Sequence, residues 1–263
     1  MSKTMIETKQ LSKHYGKRNR IIALDKLNLK VYEGETFGLL GPNGAGKTTT
    51  VRLLNCIIRP TSGGATVGGF DLVRDSMEIK RMTGLLAESP GLYEKLSAEE
   101  FLEFIGALYD VPSDALSSRA ENLLKLFDLH NRRNYLLEGY SRGMKQKVLI
   151  AASLIHDPPL LFFDEPTSTL DPSAALMVRD LMKDLAENAG KTIVVCSHIL
   201  PIVEELCDRI GIISRGRLVA VGTLEELLEK TGKDTLEKAY IEITGGVHQK
   251  ELLSWRELRS AKT

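Results

Sequence analysis

Residues Gly41 to Thr48 have the spacing of a phosphate-binding loop: a glycine, four other residues, and then Gly-Lys-Thr. They follow the apolar run Thr36–Leu40 and precede a helix-like stretch, so the glycines lie where a strand turns into a helix N-terminus. The N–H groups there attract anions, while Lys47 would reach the terminal phosphates and Thr48 would bind Mg²⁺. This context predicts a nucleoside triphosphate site, rather than a glycine-rich turn that happens to precede a helix. The residues predicted to hold the nucleotide are Gly41, Pro42, Asn43, Gly44, Ala45, Gly46, Lys47, Thr48 and Thr49.

Two acids follow a fully apolar run further along the chain. Asp164 and Glu165 come directly after Leu160–Phe163, a run that is typical of a central strand in a parallel sheet. Ligands of open α/β sheets bind at the carboxyl ends of the strands. Asp164 would therefore hold Mg²⁺, and Glu165 would accept a proton from the attacking water as general base. The alternative is a strand that ends in two solvated acids, which the phosphate-loop motif in the same chain disfavours.

The elements that position these residues are predicted from apolar periodicity. Alternating or continuous apolar runs predict strands at 5–11, 21–31, 36–40, 65–70, 83–87, 160–163, 192–196, 210–214 and 217–221. Between 97 and 128 the period is helical, Ser97 begins a capping-box pattern, and Pro112 separates two helices. Further helices are predicted at 142–155, at 172–188, at 199–207 and after Thr223. An all-helical segment therefore interrupts an α/β core.

Composition excludes several function classes. The 263-residue chain has 35 basic and 35 acidic residues, so no overall charge favours nucleic acid or an acidic membrane surface. The longest apolar run, Val148–Ile155, is far shorter than the roughly 20 residues that a bilayer crossing needs, and the first residues lack a signal-peptide segment. Three cysteines without C-x-x-C spacing argue against a disulfide framework or a zinc site. We expect a cytosolic chain that does not bind nucleic acid.

Several separated segments, taken in order, resemble the ATP-binding subunit of ABC transporters. They are Tyr15, Gly41–Thr49, Glu88, Tyr140–Met144, Asp164–Thr167, Ser168–Asp171 and His198. The likeness implies an α/β fold, with a P-loop NTPase core of the RecA-like type, an antiparallel β subdomain and an inserted all-helical subdomain. It implies an ABC ATPase domain over 1–245 and a C-terminal tail over 246–263. Within the domain, the core is expected at 1–88 and 146–222, the helical subdomain at about 89–145, and a helix or strand extension at 223–245.

The same resemblance implies roles for single residues in ATP hydrolysis with Mg²⁺. Tyr15 matches the aromatic residue that stacks on adenine, and local packing at a strand end is the alternative. His198 matches the histidine that contacts the γ-phosphate and orients the attacking water, and its place after a predicted strand favours that role over a structural one. Asp171 matches an aspartate that reaches across a dimer interface. The implied catalytic residues are Glu165 and His198.

The segment Tyr140-Ser-Arg-Gly-Met144 matches the family signature, which is usually Leu-Ser-Gly-Gly-Gln. Ser141 precedes the predicted helix at 142–155, so its hydroxyl and the free N–H groups would form a second anion site; a simple helix cap is the alternative. In the family this second site faces the γ-phosphate held by the partner's loop. Two identical chains, or a close paralogue pair, would enclose two ATP molecules head to tail. The residues implied there are Ser141, Arg142, Gly143, Met144 and Asp171.

Departures from the usual pattern indicate a branch of the family. Tyr140, Arg142 and Met144 differ from the common signature, and Glu88 replaces the usual glutamine between the core and the helical subdomain. These changes resemble the branch that pairs with ABC-2 type exporter membrane subunits. The resemblance implies export through a separate permease whose cytosolic helix docks beside Glu88–Tyr93, and a location on the inner face of the cell membrane. Because carboxylates bind hard cations well, Glu88 is predicted to be a further Mg²⁺ neighbour.

Two other function classes fit a phosphate loop. Soluble ABC-type regulators of ribosomes or DNA usually carry two nucleotide domains or long coiled-coil insertions, and this sequence has neither, nor a basic field. A P-loop kinase of small molecules would leave the signature, Asp171 and His198 unexplained. The resemblance to ABC transporters implies that the specificity for the transported substrate lies in the membrane subunit.

Overall fold

The structure is a computed structural model and describes residues 3–16, 21–87, 91–168 and 170–245. The strands are β1 (Thr4–Tyr15), β2 (Ile21–Leu27), β3 (Lys30–Tyr32), β4 (Thr36–Leu40), β5 (Ser62–Val67), β6 (Phe70–Asp71), β7 (Thr83–Leu86), β8 (Leu160–Asp164), β9 (Thr192–Ser197), β10 (Arg209–Ser214) and β11 (Arg217–Gly222). The α-helices are α1 (Lys47–Leu54), α2 (Ser76–Met82), α3 (Ala98–Leu108), α4 (Ser113–Leu126), α5 (Arg142–Leu154), α6 (Pro172–Glu187), α7 (Leu200–Leu206), α8 (Leu224–Thr231) and α9 (Leu236–Thr244).

The strands form two sheets. In the antiparallel sheet, β1 pairs with β2, β3 and β5, and β5 also pairs with β6. The other sheet has the order β11-β10-β4-β9-β8-β7, in which β11 is antiparallel to β10 and the remaining neighbours are parallel. β4, β8 and β9 are buried along their whole length, as expected for central strands that are covered on both faces.

Apolar side chains fill the space between this parallel sheet and the elements that cover it. One cluster joins it to α1 and the antiparallel sheet, and contains Phe37, Leu53 and Phe162. A second joins it to α3, α4, α5 and α6, and contains Phe101 and Phe127. A smaller cluster joins α7, α8 and α9 to β4 and β10. With both faces covered, the strand ends are the place where a ligand can reach the sheet.

The structure confirms the predicted fold class. An α/β core is present, and the chain between β7 and α5 is helical within the described residues. The predicted capping boxes form at Ser97 and Thr223: each side chain accepts the N–H of a glutamate three residues later, and that glutamate accepts the N–H of the cap. The C-terminal extension contains two helices, α8 and α9.

The single strand predicted at 21–31 is wrong, because the chain breaks between β2 and β3. Lys26 has a φ of +53°, so the backbone turns there. The Thr8 side chain forms the hydrogen bonds that strand pairing would otherwise provide at this break. Its hydroxyl donates to Leu27 O at 2.9 Å and accepts the N–H of Leu29 at 2.8 Å. The alternating apolar pattern continues through the break, which is why periodicity alone did not reveal it.

The sequence pattern also failed to predict α2. This helix has seven residues, and Ile79 is its buried member. One buried apolar residue does not produce a periodic signal, so the helix depends on packing against β6 and β7. None of the helices in the described ranges combines the length and the apolar composition that a bilayer crossing requires. The predictions for Glu88 and for the 246–263 tail lie outside the described residues.

His156 joins the helical segment to the parallel sheet. Its Nε2 lies 3.1 Å from Thr83 O at the start of β7, and its ring stacks on Tyr109 with 3.7 Å between ring centroids. Burial lowers the pKa of His156 to about 4, although the Thr83 carbonyl opposes that shift. The ring is therefore neutral near pH 7, and Nε2–H donates to the carbonyl.

Protonation of His156 at acidic pH should lower the free energy of unfolding. Its pKa is about 4 in the folded chain and 6.5 for the unperturbed side chain, so the unfolded chain binds more protons between these values. The stabilisation that depends on neutral His156 is fully present above pH 6.5 and is lost as the pH falls toward about 4. Between about pH 7.5 and pH 5, the wild type should lose roughly 1–2 kcal/mol more unfolding free energy than His156→Gln, allowing for partial exposure. Urea unfolding at both pH values tests this, and equal losses would contradict it.

Candidate functional site

Strand register brings the predicted site segments to one edge of the parallel sheet. β4 ends at Leu40, which pairs with Ser197 of β9, and β8 ends beside β9 at Asp164. The phosphate loop, Glu165 and His198 follow these three strand ends directly. Segments that are far apart in the sequence therefore meet at the carboxyl ends of the strands, where α/β sheets bind ligands.

The phosphate loop packs closely against the turn between β10 and β11. The N–H of Gly216 in that turn donates to Ala45 O at 2.8 Å. Gly46 has a φ of +115°, and a Cβ on it would lie 2.6 Å from Ala23 O. Gly41 has no room either, since a Cβ there would lie 2.4 Å from a backbone oxygen of β10. Close backbone approach therefore requires both glycines.

Replacing Gly46 with alanine should destabilise the chain more than replacing Gly34. Both residues have a positive φ, but no atom lies within 4 Å of a Cβ placed on Gly34. We expect Gly34→Ala to lower the free energy of unfolding by about 1 kcal/mol, because the backbone conformation alone opposes the change. Gly46→Ala should lower it by about 2–4 kcal/mol, because the new methyl group must also displace neighbouring backbone atoms. Urea unfolding of the two variants measures the difference. Equal losses would show that the approach of Ala23 does not constrain the loop.

The side chain of Lys47 folds back over the phosphate loop and is only 6% exposed. Its Nζ donates to Gly41 O at 2.7 Å and lies 3.8 Å from Glu165 Oε1. The ammonium group is therefore held by a loop carbonyl and an acid, with little contact with solvent. A phosphate that entered the loop would offer it a charge-assisted hydrogen bond, which is stronger than a bond to a neutral carbonyl.

Glu165 and His198 form a hydrogen-bonded pair at the ends of β8 and β9. Nδ1–H of His198 donates to Glu165 Oε1 at 2.8 Å. The Glu165 side chain is 9% exposed and that of His198 is 51% exposed, so the acid is sheltered and the ring reaches solvent. The other carboxylate oxygen, Oε2, is buried without a hydrogen-bond partner within the described ranges. Such an oxygen can accept a proton from a water molecule that enters the cavity.

Thr48 and Asp164 face the same cavity and could hold a metal ion together. Asp164 is buried at the end of β8, and Thr48 is the second residue of α1. One carboxylate and one hydroxyl beside a phosphate loop suit Mg²⁺, which keeps several waters and shares the substrate's phosphates. In the part of the chain that the structure describes, no cluster of three His, Cys, Asp or Glu side chains could hold a metal by itself. The donor set therefore fits Mg²⁺ that binds with a nucleotide.

The phosphate loop and the two acids line a cavity of about 390 Å³. Another wall is apolar and consists of Ile21, Ile22 and Ala23 of β2. Tyr15 is half-buried and pairs with Ile21 across β1 and β2, and Lys13 Nζ lies 5.1 Å from its ring centroid. An aromatic base could lie against this wall while its phosphates occupy the loop.

Among the described residues that line this cavity, none belongs to the signature. Ser141 caps α5 and accepts the N–H of Met144 at 3.3 Å, and both Ser141 and Arg142 are exposed. Tyr140 is buried instead, and its hydroxyl donates to Arg132 O at 2.7 Å. Tyr140 therefore anchors the segment, while Ser141 presents a hydroxyl and a helix N-terminus to solvent.

Asp171 is also exposed and caps a helix. Its Oδ1 accepts the N–H of Ala174 at 3.0 Å in the first turn of α6. This hydrogen bond holds the pKa of Asp171 below its usual value, so the side chain is ionised near neutral pH. Gly143 is partly buried in the first turn of α5. The predicted metal contact of Glu88 lies outside the described residues and stays a prediction.

Residues 24–168, more than half of the chain, match the ABC transporter family. The chain belongs to the ABC transporter ATP-binding family. It is 46% identical to an uncharacterised ABC transporter ATP-binding protein of Nostoc, over 80% of this chain and 62% of that protein, which is less than two thirds of its length. It is 36% identical to the linearmycin resistance ATP-binding protein LnrL of Bacillus subtilis, over 97% of this chain and 79% of that one.

A solved ABC structure has the same fold as this chain. It is the dimeric, post-hydrolysis state of the ATP-binding cassette MJ0796 bound to ADP and Pi, with a TM-score of 0.78 and 28% identity over 84% of this chain and 99% of that one. The products of ATP hydrolysis occupy that cassette. This chain is an ATP-binding and ATP-hydrolysing subunit of an ABC transporter, as the motifs predicted.

Sequence reasoning missed two features of the ABC site. The first is the apolar wall at Ile21 and Ile22, which are 63% and 54% exposed. Two consecutive exposed isoleucines at the start of a strand depart from simple alternation, and this departure was an available signal. The second is the backbone of Glu165, whose φ is +54° without a glycine to mark it. The chemistry of the site calls for a carboxylate at this position rather than a glycine, so the residue type does not reveal the conformation.

Proposed function

We propose that two copies of this chain close on two ATP molecules, head to tail, and reopen after hydrolysis. The arrangement of the half-sites carries this proposal. The phosphate loop, Asp164 and Glu165 line one cavity, whereas Ser141 is exposed at the N-terminus of α5 and does not belong to the described lining of that cavity. Each chain therefore offers two incomplete phosphate sites, which a two-fold arrangement would complete. The dimeric state of the MJ0796 cassette with ADP and Pi supports the formation of a dimer.

Each residue of the cavity then has a distinct task. Lys47 binds the terminal phosphates, and Glu165 accepts a proton from the attacking water through its buried carboxylate. His198 lies outside the described cavity lining, holds Glu165 in place through the 2.8 Å hydrogen bond, and would contact the γ-phosphate from its exposed position. Mg²⁺, held by Thr48 and Asp164, would neutralise charge on the phosphates. The partner's Ser141 hydroxyl and helix N-terminus would bind the same γ-phosphate from the other side.

Hydrolysis can drive reopening because it removes the group that both chains share. Reversing a strongly biased open–closed equilibrium needs about 5.5 kcal/mol of differential affinity. Two nucleotides, each with several charge-assisted contacts to both chains, could supply that difference. After cleavage the γ-phosphate no longer bridges the chains, so the closed form loses its advantage.

We further propose that the chain energises an ABC-2 type permease on the inner face of the membrane, acting as an exporter. The cytosolic helix of that permease is expected beside Glu88–Tyr93, and a groove of about 370 Å³ between α2 and α3 offers it a further docking surface. Its apolar lining includes Ile57, Met77 and Leu108, each more than half exposed, and Lys80 and Arg81 also line it. Asp110 also lines the groove and lies 3.7 Å from Arg81, so the groove suits the apolar face of an amphipathic helix rather than a particular charge. The resistance function named for LnrL suggests an antibiotic-like cargo.

Dimer formation by the Glu165→Gln form tests the proposed closure. With saturating Mg-ATP, light scattering should give twice the mass of one chain, because nucleotide is bound and not consumed. ADP should leave single chains. Adding Ser141→Glu should abolish the dimer, since a carboxylate would face the γ-phosphate, whereas Ser113→Glu at the exposed start of α4 should not.

Two outcomes would refute the closure proposal. A single-chain mass for Glu165→Gln, even with Mg-ATP and the permease present, would exclude the shared nucleotide. Undiminished dimer formation by the Ser141→Glu variant would place the signature outside the interface.

A further inference from the structure

Gln146 connects the signature helix to the main chain beside Glu165. It lies in the second turn of α5, five residues after Ser141, which is about 7.5 Å along the helix axis. Its Nε2 donates to Pro166 O at 3.2 Å, and Pro166 directly follows Glu165. A carbonyl only accepts hydrogen bonds, so the amide group of Gln146 must be the donor.

The main chain at this point is bent and held by several contacts. Glu165 has a φ of +54°, a conformation that costs an L-residue about 1–2 kcal/mol. Its N–H donates to Cys196 O at 2.9 Å, and its carbonyl accepts the N–H and the hydroxyl of Ser168. The hydrogen bond from Gln146 adds a contact at the next peptide unit. A backbone turn of this kind persists where its surroundings over-determine it, and the turn sets the direction of the Glu165 side chain.

The residues beside Gln146 make contacts in a different direction. Lys145 pairs with Glu94 at 2.5 Å, and Lys147 donates to Phe127 O at 3.3 Å, so both hold α5 to the helical segment. Gln146 instead reaches the loop between β8 and α6, which begins with Glu165 and ends at Asp171. Within one turn of helix, the side-chain hydrogen bonds therefore separate into those with the helical segment and one with the catalytic loop, while the charge of Lys147 also acts on Asp171 at the end of that loop.

We propose that Gln146 is a positioning residue for ATP hydrolysis. Through Gln146, the N-terminus of α5 controls the orientation of the Glu165 side chain. The proposal rests on the proposed function, in which Ser141 binds the partner's nucleotide. A helix is stiff over five residues, so nucleotide contact at Ser141 shifts Gln146 with it. The hydrogen bond transmits that shift to Pro166 and aligns Glu165 with the water in the chain's own site. Each nucleotide thereby affects hydrolysis of the other.

Single substitutions at Gln146 test this role in the purified full chain. Gln146→Met keeps the length and removes the donor, so kcat should fall about three- to tenfold, the effect of one neutral hydrogen bond. The KM for ATP should stay within about twofold, and the Hill coefficient should fall toward one. The Gln146→Glu side chain has nearly the same shape but no hydrogen-bond donor, so its kcat should fall at least as much as that of Gln146→Met. This second variant keeps the proposal testable if the methionine variant misfolds.

A control and a double variant make the test specific. Arg119→Met removes a 3.3 Å hydrogen bond to Ile155 O at the other end of α5 and should leave kcat unchanged. In single-turnover experiments, adding Gln146→Met to Glu165→Gln should lower the remaining rate no further, because the amide acts through Glu165. The proposal would be overturned if kcat is unchanged in both Gln146 variants or if only KM rises. It would also be overturned if Gln146→Met lowers the rate equally in the wild-type and the Glu165→Gln chains. Full activity of Glu165→Gln itself would instead refute the proposed function.

Discussion

The Glu165→Gln variant should hydrolyse ATP about 10²–10⁴ times more slowly than the wild type, while it still binds ATP. The carboxylate is sheltered, accepts one hydrogen bond from His198 through Oε1, and has Oε2 free to accept a proton. An amide of nearly the same size can keep the contact with His198 through its oxygen but cannot act as a base. The kcat from a steady-state phosphate-release assay and the ATP affinity from calorimetry measure the two parts separately.

Glu35 provides a matched control for this experiment. It is a largely buried glutamate that precedes β4 at the end opposite the phosphate loop, and it pairs with Arg209 at 3.2 Å. Burial raises the pKa of Glu35, so this acid is also in an unusual environment. Glu35→Gln should change stability and leave kcat within about twofold of the wild type. Equal rates for Glu165→Gln and the wild type would remove Glu165 from the mechanism.

Replacing Lys47 with methionine should weaken ATP binding by about 30- to 150-fold, the effect of losing about 2–3 kcal/mol from a charge-assisted hydrogen bond to phosphate. Methionine preserves the length and the apolar stem of this buried side chain, so folding should survive. The ammonium group contacts Gly41 O and approaches Glu165, and the variant loses both interactions. We therefore expect a modest loss of stability and a large loss of affinity.

The increase in unfolding free energy caused by ATP measures the loss of affinity. At an ATP concentration 100 times the wild-type Kd, binding should stabilise the wild type by about 2.7 kcal/mol and a variant with 100-fold weaker binding by about 0.4 kcal/mol. Lys191→Met is the control, since Lys191 is 15% exposed and pairs with Asp157 outside the cavity. An equal ATP effect in the wild type and Lys47→Met would contradict the predicted contact with phosphate.

Contiguous motifs could be interpreted reliably because their residues share one local structure. The run before Gly41 forms a strand, the glycines form the turn, and Lys47 begins α1, so motif and element were predicted together. The same holds for the apolar run that ends at Asp164. Ser141 was predicted to precede a helix, and it caps α5; Asp171 was implied by the family resemblance alone, and it caps α6. Strand and helix periodicities depend on near neighbours, which the sequence displays directly.

Contacts between distant segments were harder to predict. His198 and Glu165 are separated by 33 positions, and their 2.8 Å contact depends on the register of β8 against β9. The break near Leu29 depends on Thr8, a residue of another strand. The contact of Gln146 with Pro166 depends on where α5 packs relative to the sheet.

Residue types and their spacing were enough to predict a phosphate loop, a nucleoside triphosphate site, and most of the strands and helices around them, but not α2 or the break between β2 and β3. These follow from residue types whose chemistry and spacing act over a few positions. The three-dimensional fold was needed to show that Ile21 and Ile22 form a wall of the cavity, that Glu165 adopts a left-handed backbone, and that Ser141 is exposed and lies outside the described cavity lining. Those properties arise from sheet register and helix packing, which are set by the sum of many weak contacts across the whole chain.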